Sequence, residues 1–156
     1  MTILERNLNN TRIQAVEGDM MVSSLYTAGL GEEIFLRGIK DQGKLIGTVS
    51  KNGKIKYLPA RHFCERTLER LTETAVAPDQ GELFSFTQVM IDLDGKPLST
   101  PQWVGFITFK GFQGGVVHYL NDIGKKLKIG AKVKPVYLAQ KDRQGSILDI
   151  KYFEFV

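Results

Sequence analysis

Residues 45–67 keep the layout of a small metal-stapled unit from which the ligands of the staple are missing. Two arms are legible. One turns at Asn52-Gly53, and the other follows Pro59-Ala60-Arg61 and carries Cys64. A tetrahedral zinc ion needs four ligands gathered by two tight turns, each normally a Cys-x2-Cys knuckle. Here the first turn offers Ser50 and Gly53, or Val49 and Asn52 one register over, and the second offers Cys64 and Thr67. At most one of the four places is a cysteine, so no zinc site is expected. A hairpin this small buries too little apolar surface to stand without its metal. It must lean on N-terminal helices, on the rest of the chain or on another subunit, and Ile55, Tyr57, Leu58 and Phe63 are apolar enough to do so.

The whole chain of 156 residues, 42% hydrophobic and 24% charged, has the balance of a globular protein with one proper core. Its single cysteine excludes an intrachain disulfide. The first residues are polar and do not read as a secretory signal, and no stretch approaches the roughly 20 apolar residues of a membrane span. A cytoplasmic location is the expectation. The net charge of +4 is mild. Its lysines and arginines gather in two places: Lys51, Lys54, Lys56, Arg61 and Arg66 in the ribbon-like unit, and Lys125, Lys126, Lys128, Lys132 and Lys134 further on. Either group is a solvated face or a surface for phosphates.

Hydrophobic spacing changes period along the chain. Met20, Met21 and Leu25, then Ile34, Phe35 and Ile39, recur at helical intervals, with a break at Gly29 and Gly31 and a stop at Gly43. Strands are expected at 45–49 and 54–58 around Asn52-Gly53, and a helix at 62–74. Beyond the turn at 78–81, five strands are predicted at 82–91, 103–109, 116–120, 132–138 and 148–155, with a short helical or loop insertion at 122–129. Five strands with an insertion between the third and fourth fit an OB-fold barrel. The expected fold is thus mainly β: a tail and two helices over 1–43, a ribbon-like hairpin without metal and a short helix over 44–78, and a five-stranded barrel over 79–156.

Several segments, in order, carry a family likeness. They are Phe35-Leu36-Arg37-Gly38-Ile39-Lys40 with Leu45-Ile46-Gly47, Tyr57-Leu58-Pro59-Ala60-Arg61-His62-Phe63-Cys64, Gly81 to Thr87, Ile129-Gly130-Ala131-Lys132-Val133 and Asp149-Ile150-Lys151-Tyr152-Phe153. In this the chain resembles the acyl-CoA-associated family that joins a rubredoxin-like zinc ribbon to an OB-fold, long classed as a domain of unknown function. Members usually hold zinc with four cysteines, whereas this chain keeps only Cys64 and has Ala60 in place of a second proline. The resemblance implies a non-catalytic accessory subunit that sits beside a thiolase-like or hydratase-like enzyme and helps to shape the coenzyme A channel. A coenzyme A thioester is the implied ligand, and an obligate oligomer is one way to hold the ribbon. No cofactor is expected.

Among individual residues, Cys64 with His62 as base lacks a third, orienting group and is read as a packed relic of the lost knuckle. His118, in Val116 to Leu120, alternates with Val117 and Tyr119 and is read as a surface or partner-facing histidine. Trp103, Phe106, Phe109, Phe112 and Tyr119 are core residues or a stacking platform for bases, with Phe106 placed in the core and Phe112 in an exposed turn. Arg61, in the rigid turn after Pro59, is the leading candidate for binding a phosphate or a partner carboxylate, with Lys54, Lys56 and Phe112 beside it. The alternative function is a single-stranded nucleic-acid-binding module.

Overall fold

The computed structural model describes residues 27–121 and 127–156, with Gly18 and Ser23. Helix α1, Leu30–Arg37, carries Glu32 and Glu33 in its first turn and Arg37 in its last, as the helix dipole favours. It runs into a π-turn, Gly38–Gln42, closed by Gly43 in the left-handed region at φ +62°. The stop expected at Gly43 is therefore real. The helix expected before Gly29 lies outside the described residues.

A four-stranded sheet follows. Strands β1 (Ile46–Val49) and β2 (Lys56–Leu58) form the expected hairpin, pairing Thr48 with Tyr57 and Val49 with Lys56. Strand β3 (Glu73–Val76) pairs with the other edge of β1, and the two-residue β6 (Gln113–Gly114) runs parallel to β2. The sheet order is β3-β1-β2-β6.

Where a helix is expected at 62–74, the chain makes a second turn and then β3. The N–H of Cys64 bonds Glu69 O, that of Leu71 bonds His62 O, and Leu68 turns at φ +57°, which no helix continues. Two of the three apolar positions behind the helical reading, Phe63 and Leu68, point to solvent. The deciding influence is β1, whose four residues are all buried and need a strand on each side.

The second half is a closed five-stranded barrel in the order β4-β5-β7-β9-β8. Its strands are β4 (Gly81–Ile91), β5 (Pro97–Thr108), β7 (Val116–Asn121), β8 (Lys132–Tyr137) and β9 (Ile150–Phe155). All neighbours are antiparallel except β7 and β9, which are parallel. The five expected strands are all present, with β5 starting six residues earlier than expected. Of the expected insertion, 122–126 lie outside the described residues, and 127–130 form a turn.

One core runs through helix, sheet and barrel. Phe35 and Ile39 meet Leu45, Leu58 and Ala60, and these continue into Leu83, Ile107, Leu120, Val133 and Phe153. Close approach is enforced at Gly31, where an added Cβ would stand 2.8 Å from Ala60 O. Arg143 ties the far side: its guanidinium donates to Leu138 O at 2.8 Å and to Ile39 O at 3.3 Å, and lies over the Tyr137 ring. Ile39 O also accepts from Gly43 N–H at 3.1 Å, so the guanidinium is its second donor at the end of the π-turn.

Candidate functional site

The two turns of the ribbon-like unit enclose a second, small core of Tyr57, Cys64 and Leu71, with Ile55 against it. Tyr57 and Cys64 are wholly buried, and the Tyr57 hydroxyl lies 3.3 Å from Cys64 Sγ. Hydrogen bonds from the side chain of Thr67, from Tyr57 and from the N–H groups of Arg66 and Thr67 bring the Cys64 thiol down to about 7 against the pull of burial. Sharing its proton with Cys64, and buried, Tyr57 is raised above the usual phenol range.

At the first turn Ser50 Oγ bonds Asn52 Oδ1 and accepts from Ile55 N–H, so its hydroxyl is spent on the hairpin. Glu69 fastens the two turns by accepting from Lys51 N–H. The donor set of these turns is one thiol, two hydroxyls and a glycine, which does not fit zinc. Among the described residues no three His, Cys, Asp or Glu side chains gather as metal ligands. Cys64 is sealed from solvent, and the ring of His62 stacks edge-on against Phe63.

Arg61 lies on the outer wall of this small core. Thr48 Oγ1 accepts from Arg61 N–H at 2.8 Å and donates to Arg61 O at 3.0 Å, which fixes the backbone. The guanidinium sits 4.9 Å from the Tyr57 ring centre and is paired with Glu65. Its charge is therefore already met by a carboxylate four residues on. Lys56 and Phe112 do come together, with the ammonium 5.9 Å from the ring centre, and Phe112 packs against Gly47 rather than standing free in its turn. Lys54 is exposed in the hairpin turn, where its N–H bonds Asn52 Oδ1.

His118 departs from its expected surface position. Alternation along β7 buries Val116, His118 and Leu120 and exposes Val117 and Tyr119, so the histidine points inward and a valine and a tyrosine point out. Nε2 bonds Ile147 O at 3.1 Å, and Nδ1 accepts from Tyr119 N–H at 2.9 Å. Those partners select the neutral ring with its proton on Nε2, and burial lowers its pKa below the usual range. The aromatic set also divides. Phe109 is core, Trp103 is half-buried against the core, Phe106 leans outward on Phe84, and Tyr119 is exposed.

The feature that sequence reasoning missed is this outer face of the barrel. A groove of about 420 Å³ lies between α1 and β7, walled by Phe35, Leu36, Pro59, Ala60, Val117 and Ile147. It continues through Val117 and Ile147 into a hollow of about 250 Å³ bounded by Val104, Tyr119 and Leu148. Val117 is 62% exposed and Leu148 63%, so a contiguous apolar strip meets solvent. Val116 to Leu120 reads VVHYL, with apolar residues on both faces, so the residues alone do not say which face is inside.

Among the solved structures that share this fold are two that match over most of this chain. One is a protein of unknown function from the DUF35 family of Sulfolobus solfataricus, with a TM-score of 0.62 and 23% identity over 81% of this chain and 84% of that one. The other is the Ltp2-ChsH2(DUF35) aldolase, with a TM-score of 0.58 and 15% identity over 84% of this chain and 97% of that one. At these identities the likeness is one of fold. No protein-family model and no curated protein matches the sequence. Among the described residues, no helix is long and apolar enough to cross a membrane.

Proposed function

We propose that this chain is a non-catalytic accessory subunit of acyl-CoA metabolism, of the DUF35 type, that docks on a thiolase-like or hydratase-like enzyme. The observation that carries this reading is the apolar strip on the barrel, centred on Val117, in a fold shared with a chain of the Ltp2-ChsH2(DUF35) aldolase. An exposed strip of this kind is the usual mark of a protein or ligand contact. The barrel is read as an OB-type barrel, supported by its order and by the parallel pairing of its third and fifth strands. The ribbon is read as a degenerate one, held by Tyr57 where its relatives are held by metal.

In this reading the groove beside α1 receives the partner or lies along the path of an acyl group, and the charged rim at Lys54 and Lys56 faces the coenzyme A phosphates. Arg61 serves the ribbon through Tyr57 and Glu65 before it serves any ligand. The test is a pair of titrations. Coenzyme A or a long-chain thioester should raise the melting temperature, as any ligand of the native state does. Oligonucleotide binding that falls steeply with salt, without a thioester effect, would instead support a single-stranded nucleic-acid module.

A further inference from the structure

The β4–β5 hairpin is much longer than the barrel needs. Strand β4 has 11 residues and β5 has 12, yet β8 pairs with β4 only at Gly81 and Glu82, and β7 pairs with β5 only over Trp103 to Ile107. Leu83 still exchanges backbone bonds with Gly130 and Ala131. Past that point, among the described residues, the arm has two open edges. An isolated two-stranded ribbon is marginal in water.

The two edges are not alike. Strand β5 carries Pro97 and Pro101, which remove N–H donors and guard an edge against pairing. From Leu83 to Ile91, β4 reads LFSFTQVMI, with no charge, proline or glycine. Phe84, Phe86, Met90 and Ile91 on it are exposed. It is a strand of high β-propensity guarded by neither charge nor proline, only by the irregularities in its pairing to β5 between Leu83 and Ser85 and between Val89 and Ile91.

We propose that β4 pairs antiparallel with β4 of a second copy of this chain, about a two-fold axis at Gln88. Pairing to β5 places Phe86 and Gln88 on the face of Gly105 and Trp103, and Thr87 on the face of Val104. A two-fold normal to the sheet matches residues of the same face. With Gln88 on the axis, the two Gln88 amides meet, Phe86 faces the second copy's Met90, and Thr87 faces the second copy's Val89. Aromatic–sulfur and β-branched pairs of this kind stabilise cross-strand contacts.

Charge argues for the same occupant. The antiparallel run brings the turn with Asp92 and Asp94 of one copy to the loop of the other at Lys128 and Ile129, beside Leu83. The exposed Leu93 arrives there with it. Each end of the joint ladder is charge-balanced: Asp92, Asp94 and Lys96 of one copy meet Glu82, Lys128 and Lys132 of the other, three carboxylates with three ammonium groups, and the stretch between is neutral. The joint ladder forms on the free edge of β4, one strand over from Val104, where the strip at Val117 ends.

The experiment is sedimentation equilibrium of the full chain with its Gln88 variants. Wild type should dimerise, and Gln88→Lys or Gln88→Glu alone should raise the dimer Kd about tenfold or more by placing like charges face to face. Mixing the two variants should restore the dimer. Under mild oxidation Gln88→Cys should cross-link to itself, whereas wild type, with Cys64 buried, should not. A monomeric wild type, a dimer indifferent to Gln88→Lys, or failure of the mixed variants to associate would overturn the proposal.

Discussion

The hydroxyl of Tyr57 stands 3.3 Å from the sulfur of Cys64, inside a small core that both turns of the ribbon-like unit enclose. A phenol ring and a hydrogen bond hold this unit together where the layout would otherwise call for a metal ion. Tyr57→Ala should therefore melt the unit, lowering the melting temperature far more than Tyr57→Phe, which keeps the ring and loses only the bond. Chelators should leave the melting temperature unchanged. A zinc-dependent melting curve would contradict this account.

The same contact gives a pH signature on the alkaline side. Cys64 has a folded value of about 7 against an ordinary 9.0. An acid whose folded pKa is depressed stabilises the fold above its unfolded pKa, and that stability is lost as pH falls through the folded one. Stability should thus climb between about pH 7 and pH 9, and Cys64→Ala should flatten the climb. Tyr57→Phe removes one donor and should shift the thiol upward, read from the ultraviolet absorbance of the thiolate.

Acid should act in two windows. His118 is buried and neutral, with its pKa lowered, so the unfolded chain takes up its proton first, and stability falls as pH drops below about 6.5. Asp149 is driven up by burial, but N–H bonds from Gln144, Gly145 and Ser146 more than offset this and leave it below the usual range. Its contribution should be lost only in stronger acid, below about pH 4. Urea unfolding across pH should show both steps, with Asp149→Asn removing the lower one at a cost of about 2 kcal/mol near neutrality.

Arg143 joins the N-terminal helix to the barrel through Leu138 O, Ile39 O and the Tyr137 ring. Arg143→Ala should cost about 1–3 kcal/mol and speed amide exchange in the π-turn at Gly38–Gln42. Arg143→Lys should restore little, because one ammonium cannot reproduce the planar fork. Equal exchange in wild type and variant would count against this role.

Much of this architecture is legible in the chain itself. The five barrel strands follow from short apolar runs bounded by turn residues, and the hairpin follows from Asn52-Gly53, because both signals are local. The stop at Gly43 follows from the one residue that adopts a left-handed φ without strain. What sequence reasoning loses is set by distant partners. Residues 62–74 have helical spacing, yet the demand of the buried β1 for a second neighbour draws Glu73–Val76 into a strand. Val117 and His118 alternate as expected, but only closure of the barrel decides which of them is inside. Arg61 has the setting of a ligand-binding residue until its neighbours Tyr57 and Glu65 are in place.

In the function proposed above, the apolar strip at Val117 is a docking face for an enzyme of acyl-CoA chemistry. The direct measurement is affinity purification of the tagged full chain from its native host, beside the exposed-face variant Val117→Arg, with the co-eluting protein identified and assayed on acyl-CoA thioesters. Wild type should bring down one such enzyme in stoichiometric amount, and Val117→Arg, still folded by circular dichroism, should lose it. Recovery of nucleic acid in place of an enzyme, or an enzyme retained equally by Val117→Arg, would contradict the account.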